Sequence, residues 1–182
     1  MSNNKLKAAA RSIAALALAG SFVCAPAPAS ATETPSSPAD RQRLVSLAHK
    51  LEQTPLDPAL KDDRAWAIEW LTNVPDIAVE ICSEPLGGLV QSKYRYAPEI
   101  VVQDMFSMAA FQIEHPKSAT DLAAQQLAGV QGALKVYRAI LKDKPNARSP
   151  ALDTLLQTEA MGGLPDFARK AWLACAAHKA KK

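Results

Sequence analysis

The chain has 182 residues, 48% of them apolar and 21% charged, which is one domain's worth and enough to bury a sizeable core. Lys and Arg number 21 against 18 Asp and Glu, but three of the basic residues and no acid fall within the first 31 positions. The remainder is balanced, which removes the global basic field that nucleic acid or an anionic membrane surface would select.

The N-terminus has the tripartite pattern of a secretory signal peptide. Lys5, Lys7 and Arg11 form a basic region, and Ser12 to Val23 form an apolar one rich in Ala and Leu. Pro26 and Pro28 break it before Ala29-Ser30-Ala31, a small-residue cleavage site. The apolar stretch is shorter than the roughly 20 residues of a permanent transmembrane helix. The sequence therefore predicts cleavage after Ala31, an exported chain (periplasmic or secreted), and no stable membrane span in the mature chain; a retained N-terminal anchor is the other reading. Val23 directly before Cys24 departs from the small residue that precedes a lipid-modified cysteine. Residues 32–38, TETPSSP, read as a flexible polar linker, and residues 39–182 as the domain. Cys82 and Cys175 remain after cleavage, and an oxidising compartment predicts a disulfide between them, with two separate buried thiols as the alternative.

From there on the periodicity is helical, and no segment alternates long enough to argue for a sheet. The first helix puts Leu44, Leu47, Ala48 and Leu51 on one face. Asp57-Pro58 is a cap followed by a proline suited to a first helical turn, and the second helix runs to about Asn73, where Val74-Pro75 stops it. Trp66, Ala67, Trp70, Leu71 and Val74 share a face of this helix, which reads as core; a ligand-stacking tryptophan pair is the sharper alternative. A short helix is expected from Asp76 to about Cys82, with Asp76 as its cap. Gly87-Gly88 marks a turn, and Tyr94-Arg95-Tyr96 is an exposed-looking cluster of the residue types that dominate interfaces, although tyrosine at a helix start is also routine packing.

The third helix, from about Pro98 to His115, is apolar nearly all round, with Glu99, Gln103, Ser107 and Glu114 as a narrow polar stripe. Such a helix is central. Asp104 lies off the stripe, so it is expected to be buried, and a buried carboxylate is costly without a partner such as Arg or Tyr. The fourth helix begins at Ser118 or Thr120 and runs to Lys144. Gly129 and Gly132 on it permit close approach of another helix, although each costs about 1 kcal/mol against Ala. Its C-terminal half, ALKVYRAILKDKPNA, resembles the second helix of a tetratricopeptide repeat, with Ala133, Tyr137 and Pro145 at matching offsets. No second copy occurs, so the resemblance implies a helical hairpin rather than a repeat array. Ser149-Pro150 starts a shorter helix that Gly162 ends, and a last helix carries Phe167, Trp172 and Cys175.

The fold expectation is all-α: a single compact bundle of six or seven mostly antiparallel helices after a cleaved signal peptide. Chemistry is harder to find. His49, His115 and His178 have no paired spacing, HExxH and GxSxG are absent, and two distant thiols do not make a zinc site. No metal, cofactor or catalytic residue is expected. The favoured function is a noncatalytic module binding another exported protein or a peptide, with Tyr94, Arg95 and Tyr96 as candidate contacts. A small-ligand or lipid-binding domain is the alternative, its pocket drawn from Trp66, Trp70, Met105, Met108 and Phe111. A hydrolase using two of Glu69, Glu80, Glu99 and Asp104 is the second alternative.

Overall fold

The computed structural model describes residues 35–82 and 84–179, and the signal-peptide expectation over residues 1–31 lies outside them, as do residues 32–34 of the expected linker. The described residues form six α-helices and no strand: α1 (Pro38–Gln53), α2 (Lys61–Asn73), α3 (Ala97–Glu114), α4 (Leu122–Asp143), α5 (Pro150–Ala160) and α6 (Leu164–Lys179), with short 3-10 turns between several of them. The chain is an all-α bundle.

Local chemistry explains most boundaries. The Ser37 side chain caps α1 by accepting from Asp40 N–H, with Pro38 in the first turn. Asp57 accepts from Ala59 N–H and starts a 3-10 turn that leads into α2. Asp121 caps α4 by accepting from Ala124 N–H, so α4 begins at Leu122 rather than at Ser118 or Thr120. Each cap satisfies a backbone donor that the helix itself leaves open. Gly162, at φ 73°, turns the chain out of α5, a conformation costly for a residue with a Cβ. The described part of the linker is tied down: Ser36 N–H and Oγ both donate to Asp76, and Arg41 forms an ion pair with the same carboxylate at 2.6 Å.

That use of Asp76 is one reason the expected helix from Asp76 to Cys82 does not exist. The segment bends at Pro75 and Asp76 and then runs without helix or strand. Its carbonyls are claimed from outside: Gln112 Nε2 donates to Ala78 O and Gln126 Nε2 to Glu80 O, each at 2.8 Å. Two glutamines on α3 and α4 thus supply the hydrogen bonds that a local helix would have supplied.

α3 is the central element. Ile100 enters a cluster with Leu86, Leu89, Leu134, Tyr137, Ile140 and Leu152, while Phe106, Ala109 and Ala110 enter a second one with Leu44, Leu47, Leu51 and Ile77. Full burial of each large apolar side chain contributes roughly 1.5–3 kcal/mol. The expected polar stripe on α3 reaches solvent only toward its ends, where Glu99 is half-buried and Glu114 exposed. Gln103 and Ser107 are buried; Gln103 Nε2 donates to Ala48 O of α1 at 3.1 Å and to Ser107 Oγ at 2.9 Å.

The stripe is covered because α4 comes very close. A Cβ added at Gly129 would sit 2.6 Å from Asp104 Oδ1 and 2.9 Å from Met108 Cγ, and one at Gly132 would run into Ser107, 2.6 Å from its Cβ. Helix propensity favours Ala at both positions by about 1 kcal/mol, but no Cβ fits without moving a buried side chain or the helix itself. The spacing of these contacts, and that of Gln126 Nε2 on Met108 Sδ at 3.3 Å, runs α4 antiparallel to α3.

Cys82 and Cys175 form a disulfide with a Cα–Cα distance of 6.0 Å, tying the end of this irregular segment to α6. Both cysteines are buried. The bond closes a loop spanning a sequence separation of 93, for which chain entropy gives roughly 4–5 kcal/mol. Replacing both by serine is expected to lower Tm by roughly 10 °C in thermal unfolding, since about 1 kcal/mol moves a chain of this size by 2–4 °C. A shift of only about 2 °C would mean the bond constrains little.

Candidate functional site

All three tyrosines of the chain meet at one end of the α3–α4 pair. Tyr94 packs edge-on to Tyr96 with centroids 5.8 Å apart, and edge-on to the buried Tyr137 at 6.4 Å. Such pairs contribute about 0.5–1.5 kcal/mol beyond the area they bury. Their hydroxyls fix the loop that joins α4 to α5. Tyr94 Oη donates to Ala147 O at 2.8 Å. Tyr137 Oη accepts from Ser149 N–H and donates to Asp153 Oδ1, each at 2.8 Å, and Asp153 in turn holds Arg148 through two hydrogen bonds of 3.0 and 3.1 Å. Burial, the foremost cause, pushes the Tyr94 phenol up to about 12 and raises that of Tyr137 as well, so both remain donors across the physiological range.

The result is a rigid-walled groove of about 550 Å³, with Lys93–Tyr96 on one side and Asp143–Arg148 on the other. A second groove of about 350 Å³ shares Lys93, Tyr94 and Arg95 and is completed by Val90, Ser92, Ala97, Pro98 and Val101. The segment leading into α3 therefore stands between two open depressions. Tyr94 and Tyr96 are half-buried and Arg95 is exposed. The sequence singled out this triplet; it missed the opposite wall, because a loop reading DKPNARSP carries no motif. Tyr137, placed on α4 by its resemblance to a repeat helix, was the available signal.

The five residues considered for a ligand pocket are not gathered. Met108 is fully buried in the α3–α4 seam, Met105 packs beside the second apolar cluster, and Phe111 and Trp70 line separate clefts of about 200 and 310 Å³. Trp66 and Trp70 stack on each other at 5.8 Å as half-buried side chains at the rim of that cluster, and the Arg43 guanidinium, ion-paired with Asp63, caps the Trp66 ring at 3.8 Å. That arrangement occupies the exposed ring face with a cation from the chain itself.

Phe111's cleft also holds His49, Glu52, Glu114 and Lys135. His49 Nε2 lies 3.0 Å from Glu114 Oε1, and Lys135 binds both oxygens of Glu52 at 3.0 and 3.1 Å. The Glu114 hydrogen bond, partly offset by burial, raises the His49 pKa. Both carboxylates are committed to ion pairs that join α1, α3 and α4, a structural use. Of the acids considered for hydrolysis, Asp104 lines none of these four clefts and Glu69 is exposed on α2.

Asp104 is buried as expected, but among the described residues no hydrogen-bond donor reaches its Oδ1, where a partner is expected. The oxygen abuts Gly129, where α4 offers neither a side chain nor a free N–H. Burial alone raises its pKa from 3.8 to about 7. An acid whose pKa is higher in the folded state binds its proton more tightly there. Its stabilising contribution is complete below about pH 4 and is lost as pH rises toward and through 7. His49 has the same sign.

Between pH 5 and pH 8 the chain should lose on the order of 2–3 kcal/mol at Asp104. Asp104→Asn, which cannot ionise, is expected to flatten that slope and to melt higher than the parent at pH 8. Urea titrations at the two pH values check this. An Asn variant with an unchanged slope, or one less stable at pH 8, would show that Asp104 is an ionised, partnered carboxylate.

Among the described residues, no helix is long and apolar enough to cross a membrane. Compared with known proteins, the chain has no match among family models, curated proteins or solved structures.

Proposed function

We propose that this chain is an exported, noncatalytic module that binds an extended segment of another protein along the two grooves flanking Lys93–Tyr96. The observation that carries the reading is the shared wall: depressions of about 550 and 350 Å³ use the same three residues, Lys93, Tyr94 and Arg95. A peptide crossing that wall would place alternate side chains in the two depressions. Tyrosine and arginine supply the large contacts with small ordering cost that recognition favours, and the Tyr94–Ala147 and Tyr137–Ser149 hydrogen bonds hold the walls before anything binds, which lowers the cost of binding. Export rests on the N-terminal pattern and agrees with a buried disulfide and the lack of a spanning helix among the described residues.

A small-ligand site is the second reading. The larger groove falls within the usual volume range for such pockets, but it is open along its length and lacks the enclosure by which small ligands bury most of their surface.

The test is selection of displayed peptides of about fifteen residues on the mature chain, followed by hydrogen exchange on the complex. Enriched peptides should protect residues 93–96 and 144–148, and Tyr96→Ala should weaken them about tenfold or more. Protection confined to another face, or no enrichment above that of a groove variant, would overturn the reading.

A further inference from the structure

We propose that the segment bound in the grooves is acidic, with one carboxylate seated on Arg95 and others on Lys93 and Lys144. This rests on the peptide-binding reading above and adds the chemistry of the partner. The larger groove is lined by four cations, Lys93, Arg95, Lys144 and Arg148, against one acid, Asp143, whereas residues 32–182 taken together carry as many basic as acidic side chains. The local excess is therefore a property of this place. Arg148 is already engaged by Asp153. Arg95 is different. Arg41, Arg43, Arg138, Arg148 and Arg169 are each paired with a carboxylate, and Arg64 donates to the carbonyls of Pro55 and Asp57. Among the described residues, Arg95 is the one arginine without an ion pair or hydrogen bond; its guanidinium stands 5.7 Å from the centre of the Tyr96 ring. A guanidinium steadied by an aromatic face keeps its planar fork for two parallel hydrogen bonds to a carboxylate.

Exposed ion pairs are individually weak, so charge selects the partner while apolar side chains must hold it. Tyr96 offers one such surface, and the second groove adds Val90, exposed at 47%, beside Pro98 and Val101. The occupant that fits is a peptide alternating acidic and apolar or proline residues. A planar anionic bilayer meets the cations but not the concave walls, and a nucleic acid would ask for a basic field far wider than this groove.

Fluorescence anisotropy with the mature chain separates the possibilities. The probes are a labelled peptide of about twelve residues alternating Glu with Leu and Pro, its Gln counterpart, its Lys counterpart, and vesicles containing phosphatidylglycerol. The Glu peptide should bind at least about tenfold more tightly than the Gln peptide, weaken as salt rises from about 0.05 to 0.3 M, and leave the Lys peptide and the vesicles unbound. Arg95→Glu removes no ion pair or hydrogen bond within the fold, only an exposed contact with the Tyr96 ring; it should shift Tm by no more than about 1–2 °C and reduce Glu-peptide binding about tenfold or more, while Lys93→Glu combined with it should admit the Lys peptide. If Glu and Gln peptides bind equally and protect residues 93–96, the acidic assignment is wrong and the peptide site survives. Binding of vesicles without peptides, or of no probe at all, overturns both.

Discussion

The closeness of α3 and α4 at Gly129 and Gly132 is the constraint on which the rest of the molecule depends. Because neither position carries a Cβ, Asp104, Ser107 and Met108 of α3 lie against the α4 backbone itself. That contact hides a polar stripe that would otherwise face water, and it forces Gln103 to find its partners at Ala48 O and Ser107. It also leaves Asp104 buried against a surface with nothing to donate, and so makes the folded chain bind a proton tightly near neutral pH. The helix-propensity cost of the two glycines, about 1 kcal/mol each, is offset by the burial of both faces of α3.

The groove is the far end of the same contact. Continuing the antiparallel register past Ile100 and Val136 brings the residues that precede α3 to the residues that follow α4, which is where Tyr94 reaches Ala147 and Tyr137 reaches Ser149. A loop with no secondary structure thereby becomes a fixed wall. The cations that line the groove sit on these two short segments, outside the helices that build the core, so their identity is free of packing demands. Recognition chemistry placed on loops that a rigid scaffold positions is a common division of labour.

Much of the frame was legible in the residues. Caps at Asp57, the proline stop after Asn73, the glycine exit at Gly162 and the small-residue face of α4 are local signals, and each appears in the structure where its chemistry requires it. The segment from Asp76 to Cys82 is not helical as expected because the groups that hold two of its carbonyls, Gln112 and Gln126, lie more than 30 residues away in sequence; nothing local distinguishes a short helix from an irregular stretch tethered by distant amides. Whether the stripe of Gln103 and Ser107 sees water is not legible in the sequence for a related reason. Periodicity finds polar positions on a helix, but two glycines on a different helix decide whether those positions see water. The Tyr94–Arg95–Tyr96 triplet stood out by residue type alone, whereas the opposing loop becomes visible only when the tyrosine hydroxyls are followed to their acceptors.

A double-mutant cycle across the seam tests the central constraint most directly. Gly132→Ala should destabilise the mature chain by about 2 kcal/mol, overriding the gain in helix propensity. Introduced together with Ser107→Gly, which removes the side chain that the new methyl would meet, the same change should cost at least about 1 kcal/mol less, a coupling well outside additivity. If Gly132→Ala instead stabilises the chain by the full propensity difference, or if the two changes add, then α3 and α4 are not held by that contact and the account built on it fails.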